Sequence, residues 1–246
     1  GDLAERYAGL PTLRCVLGDV RDRDRLEQVF RGCHAVIHAA ALKRIAQSVY
    51  SPGELVATNV QGTINVILAA AAVGVSRVLV ISSDKCVEAT NLYGMTKAVA
   101  ECYAVQSNSY TYPQGTIVSA VRYGNVIESR GSVVSVWRGQ VRRSEPLTVT
   151  APTMTRFLIT LPQALSFVLQ SIEHMEGGEE FIPEMPVVSL GDLCAAFLGG
   201  EAYPVEIVGS RTYGEMSRRT LGIKELRDRL YGTGHNVQTN KPAFVA

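Results

Sequence analysis

The sequence predicts an α/β fold with a doubly wound parallel sheet and a small C-terminal lobe that binds substrate. Short apolar runs alternate with helical segments up to residue 123, which is typical of a parallel sheet covered on both faces. Polar residues follow these runs, where open α/β sheets bind their ligands. The alternation changes after Asn125. We therefore expect a dinucleotide-binding domain over residues 1–125, continued by parts of 155–185, and a substrate lobe with a C-terminal tail over residues 126–246.

The individual elements follow from apolar periodicity and from glycine stops. Predicted strands cover residues 13–17, 35–41, 77–81, 116–123, 147–150 and 179–182. Predicted helices cover residues 24–31, 54–73, 93–107, 131–143, 161–173, 190–198 and 224–231. The most strand-like run, 77–81, leads into Ser82-Ser83-Asp84-Lys85 and then into the helix of Tyr93. We expect this stretch to form the centre of the site.

A Rossmann-like sheet starts with a strand, a glycine-rich turn, a helix and a second strand. No stretch before Leu13 supplies these elements, and no G-x-G-x-x-G or G-x-x-G-x-x-G motif lies upstream. In the strand order 3-2-1-4-5-6, the two strands concerned would lie between residues 13–17 and 35–41. We therefore expect a sheet that lacks its N-terminal strand–glycine turn–helix–strand and binds its cofactor weakly.

The composition argues against several classes of function. Lys+Arg (24) and Asp+Glu (23) nearly cancel, so the chain lacks the basic field that nucleic-acid binding requires. Five scattered cysteines without a C-x-x-C pair argue against a zinc site and favour a reducing compartment. No apolar run reaches the ~18 residues that span a bilayer, and Val66–Val75 reads as a core helix. Without a signal-peptide pattern, we expect a cytoplasmic protein with no metal and no membrane span.

Tyr93 and Lys97 are the first catalytic candidates. Their i, i+4 spacing places them on one face of a helix. A lysine ammonium beside a tyrosine favours the phenolate and lowers the tyrosine pKa from its usual value of about 10. Such a tyrosine can take a proton from an alcohol while hydride leaves the same carbon. Because this spacing also arises by chance, the argument depends on the surrounding motifs.

Eight motifs in one order carry a resemblance to a known family. They are Gly18–Asp22, His38–Lys43, Thr58–Gly62, Ser83–Lys85, Tyr93–Lys97, Arg122–Val126, Ser129–Val133 and Met154–Phe157. With these motifs the chain resembles the extended short-chain dehydrogenase/reductases and, among them, the inverting UDP-N-acetylglucosamine 4,6-dehydratases of polysaccharide biosynthesis. The pairing of Ser-Asp-Lys with Ser-Arg-Gly-Ser is specific to that branch, and the resemblance runs from Gly18 to about Arg211.

The resemblance implies a lyase with a nicotinamide cofactor, NADP being favoured over NAD, and a UDP-sugar substrate. Tyr93 would remove the C4 hydroxyl proton as hydride leaves C4, and Lys97 would hold the nicotinamide ribose. Lys85 would take the C5 proton, and Asp84 would protonate the departing C6 hydroxyl. A surface ion pair at a strand end is the alternative for Asp84 and Lys85. Members of the family commonly self-associate, so we expect a homo-oligomer.

The resemblance also assigns binding residues by matching position. The cofactor residues are Asp19, Val20, Ala39, Ala40, Ala41, Lys43, Asn59, Ser82, Tyr93, Lys97 and Tyr123. The substrate residues are Lys43, Asn125, Ser129, Arg130, Ser132, Arg156 and Arg211. A serine turn at a helix N-terminus and guanidinium groups suit a diphosphate. The alternatives are sheet packing for the alanines, backbone hydrogen bonding for Asn59, solvent exposure for the arginines, and strand-end packing for His38.

Three functions remain open at this point. A UDP-N-acetylglucosamine 4,6-dehydratase requires Asp84, Lys85, Tyr93 and Lys97 together. A nucleotide-sugar 4-epimerase requires Tyr93 and Lys97 but not Lys85, so replacing Lys85 by alanine separates the two. A truncated, catalytically inactive nucleotide-sugar-binding remnant is the third, and cofactor titration distinguishes it.

Overall fold

The computed structural model describes residues 10, 12–43, 50–129 and 131–209. The strands are β1 (Ala35–His38), β2 (Arg77–Ile81), β3 (Ile117–Val121), β4 (Asn125–Val126), β5 (Leu147–Val149), β6 (Thr155–Ile159), β7 (Glu180–Phe181), β8 (Val187–Ser189) and β9 (Val205–Ile207). The helices are α1 (Arg23–Phe30), α2 (Pro52–Ala72), α3 (Leu92–Thr111), α4 (Val133–Arg142), α5 (Leu161–His174) and α6 (Leu190–Leu198). The helix predicted at 224–231 lies outside the described residues.

The principal sheet has the strand order β1-β2-β3-β7, and every neighbouring pair in it is parallel. Helices follow β1, β2 and β3, so the predicted α/β fold with a parallel sheet is confirmed. β2 and β3 pair over their whole length, from Arg77 with Ile117 to Ile81 with Val121. Their carboxyl ends therefore lie level, and the residues that follow them emerge side by side.

Apolar residues on the two central strands alternate between the faces of the sheet. Val78, Val80 and Val118 pack with residues of α1, α2 and α3 in one buried cluster. Leu79 and Val121 pack with Val168 of α5 and with Met175 in another. Because helices cover both faces, nearly the whole length of β2 and β3 is apolar, as is usual for parallel sheets.

Residues 13–17 do not form the predicted strand. Leu13 is 46% exposed and Leu17 is 92% exposed. A strand needs a neighbour to satisfy its backbone groups, and no strand of the described residues pairs with this run. β1 is an edge strand of the described sheet and ends at His38, three residues earlier than predicted. That two further strands belong between residues 13–17 and β1 stays a prediction.

Helix α2 contains a π-helical turn at Ala57–Gln61, which buries Asn59. Such turns occur frequently at functional sites. α2 is long and apolar enough to cross a membrane by length and composition, and more than half of its apolar stretch is buried inside the fold. Val66, Ile67 and Ala70 belong to the cluster that packs on the sheet. In this fold α2 is a core helix.

A separate apolar cluster is formed by the elements that follow residue 130. It consists of Val134, Trp137, Leu147, Val149, Leu190 and Cys194. Trp137 is fully buried, and its indole N–H donates to the Thr148 carbonyl at 2.9 Å. β5 pairs with β9, and β6 lies between β4 and β8 in a three-stranded sheet. We propose that this cluster is the core of the substrate lobe, whose boundaries stay a prediction.

Candidate active site

The segments that follow β2 and β3 run side by side at the carboxyl edge of the sheet. The backbone N–H of Ser82 donates to the Val121 carbonyl at 2.7 Å, and that of Asp84 donates to the Tyr123 carbonyl at 3.1 Å. Parallel pairing therefore continues beyond both strands. The Ser83 hydroxyl accepts from the Lys85 N–H and starts a short 3₁₀ turn at Asp84–Cys86. This turn fixes the backbone of Asp84 and Lys85.

Tyr93 lies in the first turn of α3, and its position is set by a helix cap and a close contact. The side chain of Asn91 caps α3 by accepting from the Gly94 N–H at 2.9 Å. A Cβ placed on Gly94 would lie 2.1 Å from the Lys85 carbonyl oxygen. Glycine is therefore required at this position, because the 3₁₀ turn packs directly on the helix. The contact brings the Asp84–Lys85 segment against the start of the Tyr93 helix.

Asp84, Lys85 and Asn125 form one hydrogen-bonded group. The Lys85 Nζ donates to Asp84 Oδ1 at 2.9 Å and to Asn125 Oδ1 at 2.8 Å. The side chains of Lys85 and Asp84 are 38% and 22% exposed, so the pair is neither buried nor freely solvated. The Ser83 hydroxyl also donates to Asp84 Oδ1 at 3.0 Å. The ion pair considered from the sequence is therefore present, and it lies beside Tyr93 rather than alone on the surface.

The phenol of Tyr93 is buried, and burial raises its pKa above the ordinary value. The carboxylate of Asp84 raises this pKa further, while the Ser83 hydroxyl lowers it. The prediction that Lys97 lowers the Tyr93 pKa is wrong for this structure. Burial is the largest influence on the phenol, and the Lys97 amine donates to the backbone carbonyl of Ile81.

Lys97 is 5% exposed and lies under the site. Burial lowers its pKa from 10.5 to about 8, and the carboxylate of Glu101 opposes the shift. Tyr93, Lys97 and Glu101 follow one another at intervals of four residues along one face of α3. The helix therefore presents a phenol, an amine and a carboxylate in sequence from the site into the core.

Glu101 anchors a network that the sequence did not predict. Its carboxylate accepts from the Arg122 guanidinium and from the Cys86 thiol, and Arg122 also donates to Glu180 at 2.9 Å. Burial and the Glu101 charge raise the pKa of Cys86, which therefore remains a neutral donor. Arg122 and Glu180 come from the ends of β3 and β7, so the network ties three segments of the sheet edge to α3. Arg122 stands directly before Tyr123, but only the fold shows its partner.

Asn59 holds the turn that follows β1. Its amide oxygen accepts from the Leu42 N–H at 2.8 Å, and its amide nitrogen donates to the Leu42 carbonyl at 3.0 Å and to Thr96 Oγ1 at 3.1 Å. Both donors and one acceptor position are thus used by the protein. The structure gives Asn59 a positioning role, in agreement with the backbone-bonding alternative, and the predicted cofactor contact stays a prediction.

His38 packs at the end of β1, as its strand-end alternative stated. Thr63 Oγ1 donates to the Asn59 carbonyl at 2.7 Å, so it can only accept from the His38 Nε2 at 3.0 Å. His38 Nε2 therefore carries the proton. Burial and the charge of Lys97 lower the His38 pKa to about 4, which keeps the imidazole neutral near pH 7.

The remaining predicted cofactor residues divide into two groups. Ala39, Ala40 and Lys43 are exposed and Ala41 is half-buried, whereas Ser82 is buried and Tyr123 is half-buried at the ends of the central strands. The Ser82 hydroxyl is buried without a hydrogen-bond partner in the described part of the chain. The exposed alanines and the Lys97 amine fit a flat ligand with a ribose, whereas the Ser82 hydroxyl lies close to the Cys86 thiol and the Glu101 carboxylate. These residues therefore fit a nicotinamide nucleotide.

Asp19 and Val20 have partners within the protein. Arg21 donates to Asp19 Oδ2 at 2.7 Å and to Glu54 at 2.6 Å, and its guanidinium lowers the Asp19 pKa to about 2. A Cβ on Gly62 would lie 2.6 Å from Val20 Cγ2, so the Val20 side chain fills the space above that glycine. The structure gives this side chain a packing role, and the predicted cofactor contact of Val20 stays a prediction. The adenine contact of Asp19 stays a prediction.

The predicted diphosphate residues are held mainly by local contacts. Ser132 caps α4 by accepting from the Ser135 N–H, and its own N–H donates to the Ser129 carbonyl at 2.8 Å. Arg156 donates to the neighbouring Thr155 carbonyl at 2.7 Å. The side chain of Asn125 makes a long-range hydrogen bond, accepting from Lys85 Nζ at 2.8 Å. Arg130 and Arg211 lie outside the described residues.

Comparison with known families identifies the relatives of this chain. A family described as "Polysaccharide biosynthesis protein" matches residues 5–233. The chain belongs to this family. The predicted resemblance to the polysaccharide biosynthesis branch is therefore confirmed.

Curated relatives of this family member fall into several kinds. The UDP-N-acetylglucosamine 4,6-dehydratase (inverting) of Campylobacter jejuni is 39% identical over 202 residues, which are 82% of this chain and 60% of that protein. The UDP-glucose 4-epimerase of Rickettsia massiliae is 35% identical over 217 residues, 87% of this chain and 63% of the epimerase. An uncharacterized membrane protein of Methanocaldococcus jannaschii is 36% identical over 244 residues, 93% and 73% respectively. The chain spans less than two thirds of the dehydratase and the epimerase.

Solved structures confirm the Rossmann-like fold. Pen from Bacillus thuringiensis superposes with a TM-score of 0.82 at 35% identity, covering 87% of this chain and 68% of Pen. DesIV, a dTDP-glucose 4,6-dehydratase of Streptomyces venezuelae solved with NAD and TYD bound, superposes with a TM-score of 0.78 at 22% identity, covering 96% and 79%. The family member thus has the fold of the short-chain dehydrogenase/reductase type.

Proposed function

We propose that this protein is a nucleotide-sugar 4,6-dehydratase that acts on UDP-N-acetylglucosamine. The observation that carries the proposal is the contact between the Asp84–Lys85 turn and the first turn of the Tyr93 helix, where the Lys85 carbonyl leaves no room for a side chain on Gly94. Acid, base and phenol therefore share one end of the sheet. The 39% identity to the Campylobacter jejuni dehydratase supports the same assignment.

Each of the four side chains has one task in this proposal. Tyr93 accepts the proton of the C4 hydroxyl, and the ketone that results acidifies the proton on C5. Lys85 takes the C5 proton, and Asp84 gives a proton to the C6 hydroxyl, so that water leaves. Lys97 holds the ribose of the cofactor. A bound nicotinamide would accept hydride from C4 and return it to C6, after which C5 is reprotonated on the opposite face.

The ion pair accounts for the proton balance of the elimination. A neutral Lys85 that gains the C5 proton and a neutral Asp84 that loses one become an ammonium and a carboxylate, which is the ion pair described above. To return to the starting state, the ammonium loses the proton that it took from C5 and the carboxylate regains one. Over the cycle each of the two groups therefore gains and loses one proton.

The cofactor and substrate assignments follow the same proposal. Lys97, Ser82 and Tyr123 would line the nicotinamide ribose, and the alanine turn after β1 would face the cofactor. Ser129 and Ser132 would offer the N-terminus of α4 to the diphosphate, and Arg156 of β6 would add a guanidinium group. NADP is favoured over NAD by resemblance alone. The protein should bind a reduced or oxidised nicotinamide in a titration, and a complete lack of binding would favour an inactive nucleotide-sugar-binding protein.

The test is incubation of the protein with UDP-N-acetylglucosamine and either nicotinamide cofactor, followed by mass spectrometry of the sugar nucleotide. We expect a product that has lost one water. A product of unchanged mass with an inverted C4 would contradict the proposal.

A nucleotide-sugar 4-epimerase is the second candidate, because rickettsial UDP-glucose 4-epimerases are 35% identical to this chain. An epimerase uses Tyr93 and Lys97 but has no need of an amine at C5. Replacing Lys85 by alanine should leave C4 epimerisation intact and should abolish loss of water. The variant therefore separates the two functions in one assay.

A further inference from the structure

The Lys85 amine has two fixed acceptors that come from different parts of the fold. Asp84 Oδ1 lies 2.9 Å from Lys85 Nζ, and Asn125 Oδ1 lies 2.8 Å from it. We propose that Asn125 is a positioning residue that, together with Asp84, aims the reactive direction of the Lys85 amine into the site. The target carbon rests on the proposed function, but the positioning itself does not.

The argument starts from the geometry of an sp³ nitrogen. Of its four tetrahedral directions, one is the bond to Cε, and two are N–H bonds directed at Asp84 and Asn125. The remaining direction is thereby determined. It carries the third proton in the ammonium form and the lone pair in the neutral form. With only one acceptor, the lone pair and the second N–H could exchange between the two remaining directions. The second acceptor removes this freedom.

The two acceptors are held by independent parts of the backbone. Asp84 is held in the 3₁₀ turn, where the Ser83 hydroxyl donates to the same oxygen, Oδ1, at 3.0 Å. Asn125 is the first residue of β4, and it pairs in register with Leu158 of β6. The residue before it, Gly124, approaches β6 so closely that a Cβ would lie 2.5 Å from the Phe157 carbonyl oxygen. The backbone of Asp84 is thus anchored by the turn and that of Asn125 by its strand, so the amine is held from two sides.

This role differs from the diphosphate contact that the resemblance implies for Asn125. The side-chain oxygen of Asn125 is used by Lys85, whereas its Nδ2 donates to no partner in the described part of the chain. The same amide can therefore hold the amine with its oxygen and offer two N–H groups to a ligand oxygen. Asn125 would thus contact the substrate with its amide N–H groups while its amide oxygen orients the Lys85 amine.

The first test measures how reactive Lys85 is toward an amine reagent. The whole protein is treated with acetic anhydride, and the peptides that carry Lys85 and exposed Lys43 are quantified by mass spectrometry. We expect Asn125→Leu, which keeps the volume but removes the acceptor, to raise acetylation of Lys85 several-fold relative to Lys43. We expect Asn125→Asp, which keeps an acceptor oxygen, to leave it at or below the wild-type level. Equal acetylation in wild type and Asn125→Leu would overturn the proposal.

A second variant keeps the test open if Asn125→Leu does not fold. Asn125→Ser retains a polar side chain that is too short to reach the amine, so it should also raise the acetylation of Lys85. A role in packing alone predicts that leucine and aspartate disturb Lys85 alike, which would contradict the proposal. The rescue by aspartate is the outcome that a structural role does not give.

The kinetic test separates the direction of the base from substrate binding. With UDP-N-acetylglucosamine, Asn125→Leu should still oxidise C4, seen as absorbance of the reduced nicotinamide. Exchange of the C5 proton with deuterated solvent should fall by about 10²-fold, because a base misplaced by about 1 Å loses that much rate. A raised KM with unchanged C5 exchange and unchanged acetylation would leave Asn125 as a diphosphate ligand only and would overturn the proposal. If wild type lacks dehydratase activity but the acetylation pattern holds, the positioning role stands and the proposed function fails.

Discussion

The edge of the sheet around Tyr93 and the serine turn before α4 are both predicted to contact the substrate, but they are held in different ways. Around Tyr93, the side chains of Lys85 and Lys97 are bound by groups from other segments of the chain, and the Lys85 backbone packs on Gly94. In the serine turn, Ser129 and Ser132 bond within a few residues of themselves. The first region is preorganised by the fold, whereas the second is preorganised only locally.

This difference indicates which property of the protein, rate or substrate affinity, each region controls. Catalytic groups lose rate steeply when they are misplaced, so they benefit from long-range support. Contacts with a diphosphate are made by several groups at once, so each contributes a smaller share. We therefore expect substitutions around Tyr93 to change rate and stability strongly, and substitutions in the serine turn to change mainly KM.

The largest effect is expected for Tyr93→Phe. Loss of the phenolic hydroxyl removes the acid–base group at C4, and kcat should fall by about 10³-fold. Tyr112→Phe is the matched control, since Tyr112 is 64% exposed just beyond the end of α3. The assay is loss of water from the sugar nucleotide by mass spectrometry. A Tyr93→Phe variant with wild-type turnover would contradict the catalytic role of the Tyr93 region, and with it the distinction from the serine turn.

Arg122→Met tests the long-range support itself. It leaves the Glu101 carboxylate, whose side chain is 3% exposed, without its cation, and we expect the free energy of unfolding to fall by about 3 kcal/mol. Arg138→Met is the control, because Arg138 and its partner Glu128 are about half exposed and such pairs contribute about 1 kcal/mol or less. Urea unfolding compares the two variants. Equal losses would mean that the buried network does not stabilise the site.

Lys97→Met should stabilise the unliganded protein while abolishing activity. The pKa of Lys97 is about 8 in the folded protein and 10.5 ordinarily, so below pH 8 both states are protonated and the folded state bears the cost of the buried charge. Between pH 8 and 10.5 the unfolded chain binds more protons, so wild-type stability rises with pH. At pH 7 the variant should gain about 3 kcal/mol at most. Thermal unfolding at pH 7 and at pH 10 tests this, and a variant less stable than wild type at pH 7 would contradict it.

Gly94→Ala should disturb the contact between the 3₁₀ turn and α3. The new Cβ would lie 2.1 Å from the Lys85 carbonyl oxygen, so the backbone must move, and we expect a loss of about 1–3 kcal/mol together with reduced turnover. Gly53→Ala is the control, because a Cβ at Gly53 meets no atom within 4 Å. If both variants were as active and as stable as wild type, the turn would not depend on this contact.

The smallest effect is expected in the serine turn. Ser132→Ala removes the cap of α4, which should cost about 1 kcal/mol of stability and raise KM for the sugar nucleotide a few-fold without changing kcat. Steady-state kinetics measures both constants. A fall in kcat as large as that of Tyr93→Phe would erase the distinction between the two regions.

Local patterns in the sequence predicted much of the scaffold. β2 begins and ends at the predicted residues, α6 does as well, and the shared face of Tyr93 and Lys97 follows from helical spacing. Runs 13–17 and 35–41 were predicted from composition, but a strand also requires a neighbour, so the first is absent and the second is short. β4 and β8 are too short to carry a periodic signal.

The electrostatics of the site could not be predicted, because they depend on contacts between distant residues. The direction of the Tyr93 pKa is set by burial, and the Lys97 amine is directed to the Ile81 carbonyl. The partners of Glu101, Arg122 and Cys86, come from two other segments. Helical spacing places Lys97 and Glu101 on one face, but it does not show what surrounds that face.

The most direct measurement follows C5 of UDP-N-acetylglucosamine in deuterated solvent with wild type and Lys85→Ala. We expect wild type to release water and to give a product with deuterium on C5. We expect Lys85→Ala to oxidise C4, seen as absorbance of the reduced nicotinamide, without releasing water or exchanging C5. Water loss and C5 deuteration that persist in Lys85→Ala would contradict the assignment of Lys85 as the base.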